Sequence, residues 1–269
     1  MNWGRAKTIL IVMFLAIDIL LLCLLAVVNN DVAYIKEDTI VSTVSVLNSR
    51  GINISKEQIP KKRIEKTIIS YENLAFSSSK AAECFLGEVY EVISDSDEEV
   101  KFKNSYKYVS VAGNEINYEV ERNINPAESF EQIKETVLEE LESFGYDEKN
   151  ILFENIQMDS GVCHVSFNMT YDGKKVIGTE MNLKADLNGI LNLSGRYFVF
   201  SDEEETSEML VDVTSALIGM IYNPEYSGMT IQNIEVMYYI DSEYIDGSEV
   251  VAYPVYVVTD SENRQHILK

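Results

Sequence analysis

The residues Thr8–Val28, TILIVMFLAIDILLLCLLAVV, form an apolar run whose one charged member is Asp18, near the middle. A helix that crosses a hydrocarbon core of ~30 Å needs about 20 such residues, whereas a cleaved secretory signal carries an apolar stretch of only about 7 to 15. This run is of the longer kind. The following CLLAVVNND offers Ala26 between bulky neighbours as its only small residue, and LLLC lacks the small residue that lipoprotein processing needs before Cys23. The expectation is an uncleaved span. Arg5 and Lys7 precede it, Trp3 suits the headgroup level, and the first basic residue after it is Lys36. Positive charge stays in the cytoplasm, so residues 1–7 are expected inside, 8–28 in the membrane and the rest of the chain extracytoplasmic.

Charge narrows the partners. The chain has 22 Lys+Arg against 44 Asp+Glu, a net charge of −22. Such a surface repels phosphate polymers, which argues against nucleic acid and against direct binding to anionic lipid or anionic wall polymer. With 46% apolar residues, 10% aromatic residues and 4 Pro, the extracytoplasmic part has the material for a packed core. Cys23, Cys84 and Cys163 form no C-x-x-C pair and have no ligand-like spacing to His164 or His266. Buried free thiols are the expectation for Cys84 and Cys163, with a disulfide between them as the alternative.

Periodicity then assigns elements. VAYIKEDTIVSTVSVLNSRGINI reads as a helix with Ile40, Val44 and Leu47 on one face and Gly51 as its stop. After Pro126, AESFEQIKETVLEELESFG places Phe130, Ile133, Val137, Leu138 and Leu141 on one stripe and ends at Gly145. Both helix ends share Leu-x-Ser-x-Gly followed by an apolar residue, which suggests one helix-then-sheet unit in each half. IEKTIISYE, GEVYEVI, EVKFKNS and NEINYEV alternate as strands of an antiparallel meander with one face packed and one wet. NILFENIQM and the stretch from VCHVSF to RYFVF repeat the pattern, with YDGK and DLNG as hairpin turns. A further helix is expected over about Glu203 to Ile221, with an acidic first turn, before the strands MTIQNIEVMYYID, VVAYPVYVVT and RQHIL. The fold class is therefore α+β: antiparallel sheets each packed with helices, in two similar subdomains at 29–125 and 126–269.

His164 alternates with apolar neighbours in VCHVSF, and Cys163 points to the opposite side of the same strand, so the two make a poor nucleophile and base. No G-x-S-x-G, H-E-x-x-H, phosphate loop or dinucleotide fingerprint is present. The acidic runs Ser94–Val100 and Ser201–Glu208 lack the glycine and closing glutamate of a calcium loop. No enzyme, cofactor or metal is expected.

MNWGRAKTILIVMFLAIDILLL resembles the opening of the YycI (WalI) family, membrane-anchored regulators of the WalK/WalR (YycG/YycF) two-component system that are related to YycH. The family begins with a short basic segment containing Trp, like Asn2 to Thr8 here, and then a single span with a polar residue inside it. MYYID and AYPVYVV are similar to the family's C-terminal region, with Tyr256 where Trp is common. The resemblance implies a non-enzymatic protein that associates with a WalK-like sensor histidine kinase and a YycH-like protein in the membrane and adjusts expression of cell-wall metabolism genes.

The residues point the same way. In hydrocarbon, packing and buried polar contacts decide helix association, and a central Asp costs about 2.5 to 3.5 kcal/mol on insertion scales unless a partner or protonation relieves it. Asp18 shares a helix face with Ile11, Phe14, Leu15, Leu21, Leu22 and Leu25. These seven are the expected partner-binding face. The alternative is a tethered extracytoplasmic module that binds a wall fragment or peptide, with the span as a passive anchor.

Overall fold

The computed structural model describes residues 7, 10–22, 33–96, 98–241, 245 and 247–268. Residues 10–22 form helix α1. Leu25 and the rest of the Thr8–Val28 run beyond residue 22 lie outside the described residues, among which no helix is long and apolar enough to cross a membrane. The chain is α+β and divides into two compact units that alternate along the sequence. Met1–Glu65, Ser207–Glu235 and Tyr256–Lys269 form the first, Lys66–Thr206 and Val236–Val255 the second. This division is discontinuous, and residues 121–126, where the alternation stops, lie inside the second unit. They form a pinned loop: Asn125 N–H donates to Asp186 Oδ2 at 2.8 Å, Arg122 pairs with Asp186 Oδ1 at 2.8 Å, and Ala127 N–H donates to the Gly161 carbonyl at 2.9 Å.

In the first unit, helix α2 (Glu37–Ser49) buries Ile40, Thr43 and Leu47. Thr43 takes the place expected of Val44, which is half-buried. Its hydroxyl donates back to the Thr39 carbonyl at 2.8 Å, so a polar residue sits in the buried stripe without an unmet hydrogen bond. The helix ends at Gly51, φ +84°, with Gly51 N–H on the Asn48 carbonyl and Ile52 N–H on the Leu47 carbonyl. This is a Schellman cap, which needs a left-handed residue and therefore glycine.

α2 packs on helix α5 (Val213–Gly219). The expected helix over Glu203–Ile221 forms only in its second half. Residues from Phe198 to Met209 form a strand, and α5 begins only where Asp212 supplies an N-cap acceptor to the Thr214 N–H at 3.2 Å. The adjacent acids Asp202, Glu203 and Glu204 are exposed along that strand instead of crowding a first helical turn.

The strands are β1 (Glu65–Asn73), β2 (Glu91–Asp95), β3 (Val100–Asn104), β4 (Lys107–Ala112), β5 (Glu115–Val120), β6 (Ile151–Asp159), β7 (Val162–Tyr171), β8 (Lys174–Ile177), β9 (Met181–Asp186), β10 (Gly189–Gly195), β11 (Phe198–Met209), β12 (Ile231–Ile240), β13 (Glu249–Asp260) and β14 (Gln265–Leu268). They line up as β11-β1-β13-β12-β8-β7-β9-β10-β5-β4-β3-β2, with β6 paired to β7 and β14 to β13 off this path; β2 to β10 lie in the second unit, whereas β14 and one end each of β1, β11, β12 and β13 belong to the first. The meander β2–β5 and the hairpins from β6 to β10 are antiparallel as expected. β12 departs from the antiparallel expectation, since it runs parallel to β8 at Tyr238 and Val176. The YDGK turn closes Tyr171 onto Lys174 with Asp172 and Gly173 at φ +49° and +69°, the left-handed pair that a two-residue hairpin requires.

Two helices cover one face of this sheet. Helix α3 (Ser78–Leu86) packs on β3 and β4, and helix α4 (Lys134–Ser143) packs on β10. α3 and β4 were not anticipated: α3 is shorter than the window over which helical periodicity shows. Phe85 from α3 and Phe144 at the end of α4 meet on Tyr118 of β5, with ring centroids 5.5 and 5.3 Å away. α4 buries Val137 and Leu141 after the 3-10 turn Phe130–Gln132, and Leu138 is half-buried. Its end repeats the cap of α2: Gly145, φ +96°, donates to the Glu142 carbonyl and Tyr146 N–H to the Leu141 carbonyl.

Candidate functional site: an apolar helix face and an open polar sheet face

Asp18, Ile11, Phe14, Leu15, Leu21 and Leu22 all lie on α1. An α-helix turns about 100° per residue, so positions three, four and seven away from Asp18 stay within about 60° of it. The structure therefore brings these six together on one face, while the seventh, Leu25, lies outside the described residues. All six are exposed, the five apolar ones by 56% to 65%. Exposure alone does not set this face apart, since Leu10, Val12, Met13, Ile17, Ile19 and Leu20 on the rest of α1 are exposed too; Asp18 does.

A second candidate comes from sheet geometry. The side of the second unit's sheet opposite α3 and α4 carries two rows of side chains that run straight across the strands. One row joins Ser110, Asn117, Ser194, Asn182, Ser166 and Glu154; the other joins Tyr108, Glu119, Asn192, Lys184, His164 and Gln157. The alternate residues on the same strands, such as Val109, Tyr118, Leu193, Leu183 and Val165, are at most 3% exposed and form the covered face. Strand period 2 makes this division, and the register aligns it across six strands.

The rows enclose a groove of about 400 Å³ between β6 and β10. At one end, Glu154 accepts from Lys175 Nζ at 2.8 and 2.9 Å and from Asn168 Nδ2 at 3.0 Å, so its charge is internally matched. Next to it Asn155 holds φ +50° at a break in the β6–β7 register and donates to Ser166 Oγ at 3.0 Å. A bulge of this sort re-aims a side chain, here over the groove floor. Asn192 donates to Asn117 Oδ1 at 2.7 Å and to the Tyr118 carbonyl at 3.1 Å, which orients both amides. Gln157, Asn182, Ser194 and Lys184 also line the groove. Sequence reasoning foresaw a wet face; it missed the groove because strand neighbours far apart in sequence are not encoded by alternation. His164 lies in the groove while Cys163 is fully buried, the opposite orientation expected of adjacent strand residues.

Cys84 and Cys163 are both free thiols. Cys84 Sγ donates to the Phe144 carbonyl at 3.3 Å, and burial pushes its thiol pKa up, so it is a poor nucleophile at neutral pH. Among the described residues, no group of three or more His, Cys, Asp or Glu side chains is arranged to hold a metal ion.

No family model and no curated protein matches the chain. Among solved structures it is similar to the Bacillus megaterium YpeB C-terminal domain, with 9% identity and a TM-score of 0.34 over 73% of this chain and 96% of that one.

Proposed function

We propose that the chain is a membrane-anchored accessory regulator, without enzymatic activity, that modulates a WalK-like sensor histidine kinase governing cell-wall metabolism. Its N-terminus is cytoplasmic, its C-terminal region extracytoplasmic, and its partners are the kinase and a YycH-like protein. The observation that carries the reading is the apolar helix with Asp18 among five exposed apolar side chains on one face. A carboxyl group at the centre of a span is relieved by a polar group on a neighbouring helix, which gives the contact both affinity and register. The N-terminal motif quoted above supports the choice of partner. Asp18→Leu should keep membrane insertion while reducing co-purification with the kinase and shifting a kinase-output reporter. Unchanged association and output with normal insertion would overturn the reading.

The sheet groove favours a second reading, a tethered extracytoplasmic binding module whose span is passive. Replacement of Thr8–Val28 with an unrelated span separates the two: retained activity supports the module, lost activity supports helix contacts.

A further inference from the structure

We propose that the open face of the second unit's sheet binds an uncharged glycan chain bearing acetamido groups. This inference rests on the binding-module reading and supplies its ligand class. The groove is chemically unlike the rest of the chain. In a protein of net charge −22 it presents mainly amides and hydroxyls: Asn155, Gln157, Asn182, Asn192, Ser166 and Ser194. The charged residues along it are Lys184 and Glu180 of opposite sign, with His164 on β7, and Glu119 stands beside Asn192 in the same row. Glu154, at its end, is matched by Lys175. A polyanion would meet the repulsion of the whole acidic chain, and a cation would find little uncompensated negative charge. The complementary ligand is neutral and rich in hydrogen-bonding groups.

Geometry selects among neutral ligands. The backbone N–H and C=O groups of β7, β9 and β10 lie in the sheet and are used by their neighbours on both sides. A peptide that adds main-chain hydrogen bonds needs a free strand edge and gains none on a sheet face. Here the ligand meets side chains alone, spaced about 4.8 Å between strands and about 7 Å between the two rows. A side-chain amide has one acceptor and a paired donor, and its planar complement is another amide. An acetamido substituent offers that complement, and sugar hydroxyls can exchange donor and acceptor roles with Ser194, while Ser166, buried and bonded to Asn155 and the Glu154 carbonyl, forms the floor. Since one hydrogen bond exchanged with water nets only about 0.5–1.5 kcal/mol, a repeating chain that engages several positions fits this array better than a single small molecule. Asn117 and Asn155 hold Asn192 and Ser166 in place before a ligand arrives, which lowers the ordering cost of binding.

The test is calorimetric titration of the full chain in detergent micelles with chitotetraose, cellotetraose and a neutral tetrapeptide. Chitotetraose should bind, cellotetraose should bind at least tenfold more weakly for want of acetamido groups, and the tetrapeptide should not compete. Asn182→Ala and Gln157→Ala, both at exposed positions, should each weaken chitotetraose at least threefold with an unchanged unfolding midpoint. Absence of chitotetraose binding at millimolar concentration overturns the proposal, as does equal binding of cellotetraose, tighter binding of the peptide, or binding untouched by both substitutions. The binding-module reading fails separately, through loss of activity in the span replacement.

Discussion

The two units end a helix in the same way and then use it differently. α2 and α4 each close with Leu-x-Ser-x-Gly and an apolar residue: Leu47, Ser49, Gly51 and Ile52 in one, Leu141, Ser143, Gly145 and Tyr146 in the other. Both leucines are fully buried, both glycines are left-handed, and each serine hydroxyl donates to the carbonyl three residues earlier at 2.7 Å. Beyond the cap the resemblance thins. Ile52 leads to a 3-10 turn, Lys56–Gln58, closed by a capping box at Ser55. Tyr146 leads to a second 3-10 turn, Glu148–Asn150, capped by Asp147, and then into the β6–β7 hairpin. α2 rests on another helix, α5, whereas α4 rests on strand β10. A six-residue cap is a local device that sequence can repeat; the surface it presents is chosen by elements far away in the chain.

The comparison breaks most readily at the buried leucines. Leu→Ala in a core costs about 2–5 kcal/mol, and the cost depends on how far the surroundings can close the cavity. Two short helices can shift toward each other more easily than a helix can sink into a hydrogen-bonded sheet. Leu141→Ala should therefore cost about 3–5 kcal/mol and Leu47→Ala about 2–3 kcal/mol in denaturant unfolding. Equal losses would mean that the helix–helix packing is as rigid as the helix–sheet packing.

The cap glycines give a smaller and more even effect. A Cβ built at Gly51 would meet Gly228 N at 3.7 Å, and one at Gly145 would meet Tyr197 Oη at 3.8 Å, both ordinary contacts. What remains is the left-handed backbone, which costs a residue with a Cβ about 1–2 kcal/mol. Gly51→Ala and Gly145→Ala should each lower stability by about that amount, measured by urea unfolding. A difference above about 1 kcal/mol between them would show that the cap is coupled to its surroundings and is not autonomous.

These caps also show what could be read from the sequence. Leu-x-Ser-x-Gly announced both helix ends because a Schellman cap is contained in one turn of chain. Alternation likewise gave most strands, and Asp172-Gly173 gave its hairpin. The failures share a cause. Residues 203–209 are helix-compatible when read alone and become strand through pairing with residues near Lys66, to whose carbonyl Thr206 Oγ1 donates at 2.6 Å. α3 is held by Ala81, Ala82, Phe85 and Leu86, all buried against a sheet that its nine residues do not announce. Of the candidate sites, the α1 face could be assembled from the sequence because its six described members lie within one helix. The groove was not, because its rows join residues as distant in sequence as Asn117 and Ser194.

The finest contrast is between a half-buried carboxyl, Glu140, and a buried one, Asp260, one in each unit, whose responses to pH have opposite sign. Burial raises the pKa of Glu140 on α4, and the Ile190 N–H and Arg122 offset this only in part. Burial also works against ionised Asp260, but there hydrogen bonds from the Arg264 N–H, the His266 ring, the Arg264 guanidinium and the Glu262 N–H prevail and hold the carboxyl below its usual range. A raised folded pKa contributes stability that is present below the unfolded value, about 4.3 for Glu, and is lost as pH rises through the folded value. A lowered one contributes stability that is present above the unfolded value, about 3.9 for Asp, and is lost as pH falls through the folded value. In urea unfolding, Glu140→Gln should thus compare more favourably with the unsubstituted chain at pH 7 than at pH 4, because Gln still accepts from Ile190 without a charge to bury. Asp260→Asn should compare worse at pH 6 than at pH 3, where protonation has begun to remove what the substitution removes. If both differences ran in the same direction, the two carboxyls would share one environment, and hydrogen bonding at Asp260 would not outweigh its burial.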